Sequence, residues 1–141
     1  MIVVDTNIIS YFYLNSEYSS YAEQVFKKDP TWSAPLLWRS EFRNVLAFYL
    51  RKNILSLFEA IEIFESAEEL LRENEYEINS AQVLSLSHSR GCSAYDCEFV
   101  NLAKDLGVSL ITEDKKMLKN FPESAISMRK FVEPADDGLQ I

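Results

Sequence analysis

With 141 residues, 48% hydrophobic and 13% aromatic, the chain has enough apolar material for one ordinary core and too little for two. No apolar run approaches the roughly 20 residues that cross a bilayer, and Met1-Ile2-Val3-Val4 runs straight into Asp5, so the expectation is a cytoplasmic protein with no membrane segment and no secretory leader. A formal net charge of −8 argues against a nucleic-acid partner only until its distribution is followed: eight of the 22 acids fall between Glu59 and Glu77 against one base, Arg72, and the remaining 14 acids meet 13 bases.

Residues 1–4 form a short β-branched apolar run, the pattern of a strand buried on both faces. Asp5-Thr6-Asn7 then supplies cap residues ahead of Ile8, Ile9 and Tyr11-Phe12-Tyr13, so strand, sharp turn and helix follow in order. Ser16 or Ser19 opens a second helix carrying Tyr21, Val25 and Phe26, and residues 32–35 are a strand that Pro35 stops. The spacing of Trp38, Phe42, Val45, Leu46, Tyr49 and Leu50 predicts a helix over 37–52. A second helix over 57–71 is expected to turn Phe58, Ile61, Phe64, Ala67, Leu70 and Leu71 inward, which makes the acidic run a solvated helix face. Further along come a short strand at 76–78, a helix over 80–90 stopped at Gly91, an amphipathic helix over 93–106 ended by Gly107, and a strand at 108–111. A short basic helix runs to Asn120, residues 125–132 are expected to hold a last strand, and 133–141 a loose tail after a single domain over 1–132. Strands alternate with helices, and the gaps suit helical crossovers. That pattern points to an α/β fold with a parallel sheet covered on both sides.

Several chemistries are missing from the letters. Cys92, Cys97 and the lone His88 match no zinc ligand set, and both cysteines are expected to be small buried apolar groups. Only three glycines are present, Gly91, Gly107 and Gly138, so neither a dinucleotide-binding GxGxxG nor a Walker A loop exists. A G-x-S-x-G elbow is absent as well, and His88 has no evident nucleophile partner.

Four acids at the ends of apolar segments remain: Asp5, Glu41, Asp96 and Asp114. Three have structural explanations. Asp5 can cap a helix, Asp96 can answer Ser93 in an S-x-x-D box, and Asp114 can favour the positive end of a short helix. Glu41 is harder to explain, because it stands three positions after Trp38 and four before Val45, within or beside the apolar stripe. An inward carboxylate is costly unless paired or metal-bound, and Arg39 and Arg43 point elsewhere on a helix. Two carboxylates about 4 Å apart repel by ~4 kcal/mol at an effective dielectric near 20. Four acids converging at strand ends would therefore call for a dication such as Mg²⁺ or Mn²⁺, and such a site suits phosphodiester hydrolysis. The alternative is a non-catalytic α/β module that binds a protein or RNA and keeps the acids as caps or as a structural cation site.

The stretches V-V-D-T-N, P-L-L-W-R-S-E-F-R-N-V-L, S-A-Y-D-C-E-F-V-N-L-A-K-D-L-G-V and L-I-T-E-D-K-K-M-L resemble, in order, the motifs of the PIN-domain family, and in length the VapC-type toxins of toxin–antitoxin pairs. The resemblance covers residues 1–132, and its third stretch is the most specific. It implies a Rossmann-like, three-layer α/β/α sandwich and a metal-dependent endoribonuclease acting on single-stranded RNA. Asp5, Glu41, Asp96 and Asp114 would form an acidic quartet, Asp5 and Asp96 would contact Mg²⁺ or Mn²⁺, and Thr6, Asn7 and Thr112 would orient ligands or water. Glu113 falls at a variable position outside that set. A homodimer and a cognate antitoxin in a hydrophobic groove are implied too, with Tyr11, Phe12, Tyr13, Tyr18, Tyr21, Phe48 and Tyr49 either lining the groove or packing in the core.

Overall fold

The structure, a computed structural model, describes residues 1–133. Five strands, β1 (Ile2–Val4), β2 (Trp32–Pro35), β3 (Glu75–Tyr76), β4 (Leu110–Ile111) and β5 (Ala125–Ile126), lie in the order β3-β2-β1-β4-β5. Every neighbouring pair is parallel, with Ile2 opposite Trp32 and Val4 opposite Ile111. All residues of β1, β2 and β4 are buried, as strands covered on both faces must be.

The helices are α1 (Thr6–Tyr13), α2 (Ser19–Lys28), α3 (Leu37–Arg51), α4 (Leu57–Leu70), α5 (Ser80–Arg90), α6 (Ala94–Leu106), α7 (Lys115–Asn120) and α8 (Met128–Val132). α6 packs on β1, β2 and β4 with α5 against it, while α1 to α4 and α8 join through the pairs α1–α2, α1–α3, α3–α4 and α2–α8. Together they make a three-layer α/β/α sandwich. Short-range chemistry delimits the elements. Ser56 and Glu59 close a capping box on α4, Asn79 caps α5, and α5 ends at Gly91, whose φ of 73° is the left-handed conformation glycine adopts without strain. None of the described helices is long and apolar enough to cross a membrane.

The strand order reverses between β1 and β4: the chain steps outward to β2 and β3, then crosses back to build β4 and β5 on the other side. In open parallel sheets this reversal opens a crevice at the carboxyl ends of the two strands.

Three expectations are refined or corrected. Residues 125–132 do hold the last strand, but it is short: pairing stops at Ile126 and α8 begins at Met128. Two caps outcompete extension there, since the Ser127 hydroxyl accepts from the Lys130 amide at 3.2 Å and the Glu113 carboxylate accepts from the Met128 amide at 2.8 Å. On α4, Phe58 and Ile61 face outward, 68% and 48% exposed. Phe64, Ala67 and Leu71 do face inward as expected, Phe64 stacking on Trp38 and Phe42 of α3, and Ala60 joins them in place of Phe58 and Ile61. Finally, Cys92 and Cys97 are not separate apolar groups but a disulfide. Cys92 precedes the cap Ser93 and Cys97 lies in the first turn of α6, a placement that brings their Cα atoms to 6.4 Å, within bridging range.

Of the aromatic residues expected either to line a groove or to pack in the core, Tyr11, Phe12, Tyr13, Tyr21 and Tyr49 pack against the core, Phe12 lying against Phe26 and Trp32 and Tyr13 against Phe42, while Tyr18 and Phe48 are exposed. The expected loose tail lies, apart from Glu133, outside the described residues.

Candidate active site

Asp5 leaves the end of β1 at the crevice and caps α1, its Oδ1 accepting from the Ile8 amide at 3.2 Å. Its Oδ2 accepts from the hydroxyl of Thr112, the residue after β4. The same Thr112 oxygen accepts from the Asp114 amide at 3.0 Å, so one buried hydroxyl ties the ends of β1 and β4 together. Asp114 caps α7, its Oδ1 accepting from the amides of Lys116 at 2.8 Å and Met117 at 3.1 Å. Glu41 reaches in from α3, where its Oε1 accepts from the Thr6 hydroxyl at 2.6 Å. Asp96 stands in the first turn of α6, which Ser93 caps by accepting from the Asp96 amide at 3.1 Å.

The structure brings Asp5, Glu41, Asp96 and Asp114 to one cavity of about 240 Å³, together with Thr6 and Asn7. Thr112 lies one hydrogen bond behind it. Asn44 also lines the cavity, and sequence reasoning missed it. Its signal was its spacing: three positions after Glu41 on α3, it shares the Glu41 face. Val45, Phe99 and Met117 supply apolar walls.

Burial pushes the Asp5 carboxyl up to about 7, opposed by the Thr112 hydroxyl and the Ile8 amide and reinforced by the negative charges of Asp114 and Glu41. Burial also raises Glu41, with relief from Thr6 and a further push from Asp96. Asp96 is raised by burial and by Asp114, and lowered by Ser93 and Lys116. The mutual repulsions close a ring around the cavity: Asp5 feels Asp114 and Glu41, Glu41 feels Asp96, and Asp96 feels Asp114.

No base neutralises this ring by ion pairing among the described residues. Arg39 is held by Glu75 at 2.6 Å and Glu68 at 2.7 Å, and Arg43 lies 5.2 Å over the Phe64 ring, so both turn away from Glu41 as expected.

The donor set fits a hard dication of the magnesium type, being all oxygen and strongly negative. No three of the acids, histidines and cysteines stand close enough to clasp an ion together among the described residues. Such an ion needs only one or two carboxylates and keeps waters for its other positions. Among the described residues, protein hydrogen bonds engage one oxygen of Glu41, one of Asp114 and neither of Asp96, whose carboxylate is the most open to a ligand, while each Asp5 oxygen accepts one bond and keeps a lone pair.

The described site can be set beside known proteins. Ribonuclease VapC3 of Pyrobaculum aerophilum is 29% identical over 126 residues, covering 86% of this chain and 95% of the relative. The crystal structure of PAE2754 from Pyrobaculum aerophilum superposes with a TM-score of 0.73 at 18% identity, over 93% of this chain and 92% of that one. A toxin–antitoxin complex from Klebsiella pneumoniae gives 0.67 at 15% identity, over 91% and 98%. FitAcB from Neisseria gonorrhoeae gives 0.68 at 17%, over 91% and 98%. At such identities the superpositions speak to the fold, which they share across nearly the whole chain. The sequence profile of the PIN domain matches residues 2–123, most of the length, and the chain belongs to the PIN domain family.

Proposed function

We propose that this protein is a divalent-metal-dependent endoribonuclease that hydrolyses phosphodiester bonds in single-stranded RNA, and that it is the toxin of a toxin–antitoxin pair in the cytoplasm. The observation that carries the reading is the convergence of four carboxylates from distant segments on one cavity with no base paired to any of them. Its likeness to a protein named Ribonuclease VapC3 supports the nuclease class.

In this reading Asp5 and Asp96 would hold the ion. Bound Mg²⁺ or Mn²⁺ supplies charge neutralisation at the phosphate and lowers the pKa of a water. Glu41, half-buried and anchored by Thr6 through Oε1, holds the attacking water and takes its proton on Oε2. Asp114 is fixed by its amide bonds on α7, and Thr112 keeps it in register with Asp5. Asn7 and Asn44 line the cavity and offer neutral donors to substrate oxygens. Phe99, Val45 and Met117 reduce water access and strengthen each of these contacts.

The antitoxin has a candidate seat in the apolar groove between α3 and α4, a cavity of about 250 Å³ lined by Leu46, Leu50, Leu57, Ala60, Ile61 and Phe64. Structural neighbours that are toxin–antitoxin complexes support that partner, and a homodimer belongs to the same reading.

The test is incubation of purified protein with single-stranded RNA and with tRNA, in Mg²⁺ or Mn²⁺ and in EDTA. Cleavage is expected with metal only, and Asp96→Asn should lose it by about 100-fold or more. Asp96 is the informative position because Ser93, not the Asp96 carboxylate, caps α6. Wild-type cleavage rates in Asp96→Asn, or metal-independent cleavage, would contradict the reading. The non-catalytic alternative draws on the caps formed by Asp5 and Asp114, and it predicts no metal-dependent cleavage by the wild type.

A further inference from the structure

We propose that a second cavity beside the acidic one is a subsite for the nucleotide flanking the scissile bond, with Lys116 contacting its phosphate and Asn120 its base. This rests on the ribonuclease reading and names the part of the substrate it leaves unassigned.

The cavity encloses about 160 Å³ and shares Asp96 and Met117 with the acidic cavity, so a strand crossing the quartet passes directly into it. Met117 and Phe121 form its buried floor, with the Arg90 guanidinium 5.0 Å over the Phe121 ring, and Cys92 and Ser93 contribute another part of the wall. Polar capacity comes from α7: Lys116 and Asn120 are four positions apart and so project from one helix face. Both are exposed. Among the described residues, neither side chain takes part in a hydrogen bond or ion pair, whereas the nearby Arg90 is held by Glu123 at 2.7 Å.

Charge explains why such a contact is needed. A polyanion approaching four carboxylates is repelled before any ion-mediated contact forms, and a base at the rim offsets that repulsion. Lys116 is that base, since it lines the same cavity as Asp96. Phosphate contacts set position without reading sequence. The exposed Asn120 carboxamide, with both donors and an acceptor, is the complement of an unstacked base, which offers donors and acceptors on its edge. The combination gives a subsite with one positioning contact and one reading contact.

The experiment measures steady-state cleavage of short single-stranded RNAs, varied at each position around the cut, by wild type, Lys116→Ala, Lys116→Arg and Asn120→Ala. It is run in Mn²⁺ across a range of monovalent salt, with thermal melting to confirm that each variant folds. Lys116→Ala is expected to raise KM several-fold and to flatten the slope of log KM against log salt by about 0.7, the share of one single-strand phosphate contact. Lys116→Arg should stay near wild type, and Asn120→Ala should change which flanking base is preferred. An unchanged KM and salt slope in Lys116→Ala, or an unchanged preference in Asn120→Ala, would overturn the subsite while leaving the ribonuclease reading standing. Absence of metal-dependent cleavage by the wild type would remove both.

Discussion

Asp5 serves two purposes at once. Its carboxylate caps α1 and accepts from Thr112, as an ordinary N-cap in a crevice does, yet it is also 7% exposed among three other acids and lacks a countercharge. A folded value of about 7 against an ordinary 3.8 corresponds to roughly 4 kcal/mol between protonation states. Because the folded value is the higher one, the folded state binds the extra proton between about pH 4 and 7. The metal-free fold is therefore expected to lose stability as pH rises through that window, with the full cost present above 7. Glu41 and Asp96 are raised as well and act in the same direction. Denaturant melts of EDTA-treated protein at pH 5 and pH 8 measure this, and Asp5→Asn should shrink the difference. Equal or greater stability of the wild type at pH 8 would show that Asp5 carries no such burden.

At the scale of elements, the start of α6 concentrates the most local constraint. The Cys92–Cys97 bridge spans the Ser93 cap and the Asp96 position, closing a loop so short that its entropic effect is about 2 kcal/mol. A dithiol reductant, or the double change Cys92→Ser with Cys97→Ser, is expected to lower the melting temperature by several degrees. Identical melting curves for oxidised and reduced protein would mean that packing alone holds this turn. The bridge was hidden in the sequence because a five-residue spacing has no fixed meaning: whether two cysteines meet depends on where the helix begins between them. The same dependence on local caps hid α8, since the carboxylate that accepts from the Met128 amide comes from Glu113, fifteen positions earlier. By contrast β1, α1, α3 and α6 were legible, each carrying its own hydrophobic period and, for α1 and α6, its own cap. The inward face of α4 was legible in part: Phe64, Ala67 and Leu71 follow the helical period, whereas Phe58 and Ile61 fit that period equally well and yet stay exposed while Ala60 is buried.

For the whole molecule, the sheet order does what no single motif does. It sets β1 beside β4, so acids 109 positions apart in the chain, Asp5 and Asp114, end on either side of one Thr112 hydroxyl. The four acids were readable from their positions at segment ends and from the placement of Glu41 on its helix. Asn44 carried only its three-residue spacing from Glu41, a weak signal because an exposed polar residue on a helix looks like any other until the cavity is seen. The uneven charge was also legible: α4 and its flanks carry the acidic excess on their solvent side, and Arg39 is consumed there by Glu68 and Glu75. That leaves the crevice negative for reasons of its own rather than as part of a general acidity. Titration of Mn²⁺ into metal-free wild type, Asp5→Asn and Asp96→Asn, followed by calorimetry, tests the convergence most directly. Saturable binding to the wild type, weakened roughly tenfold or more in both variants, is the predicted result. Equal affinity in all three proteins, or no binding to the wild type, would contradict it.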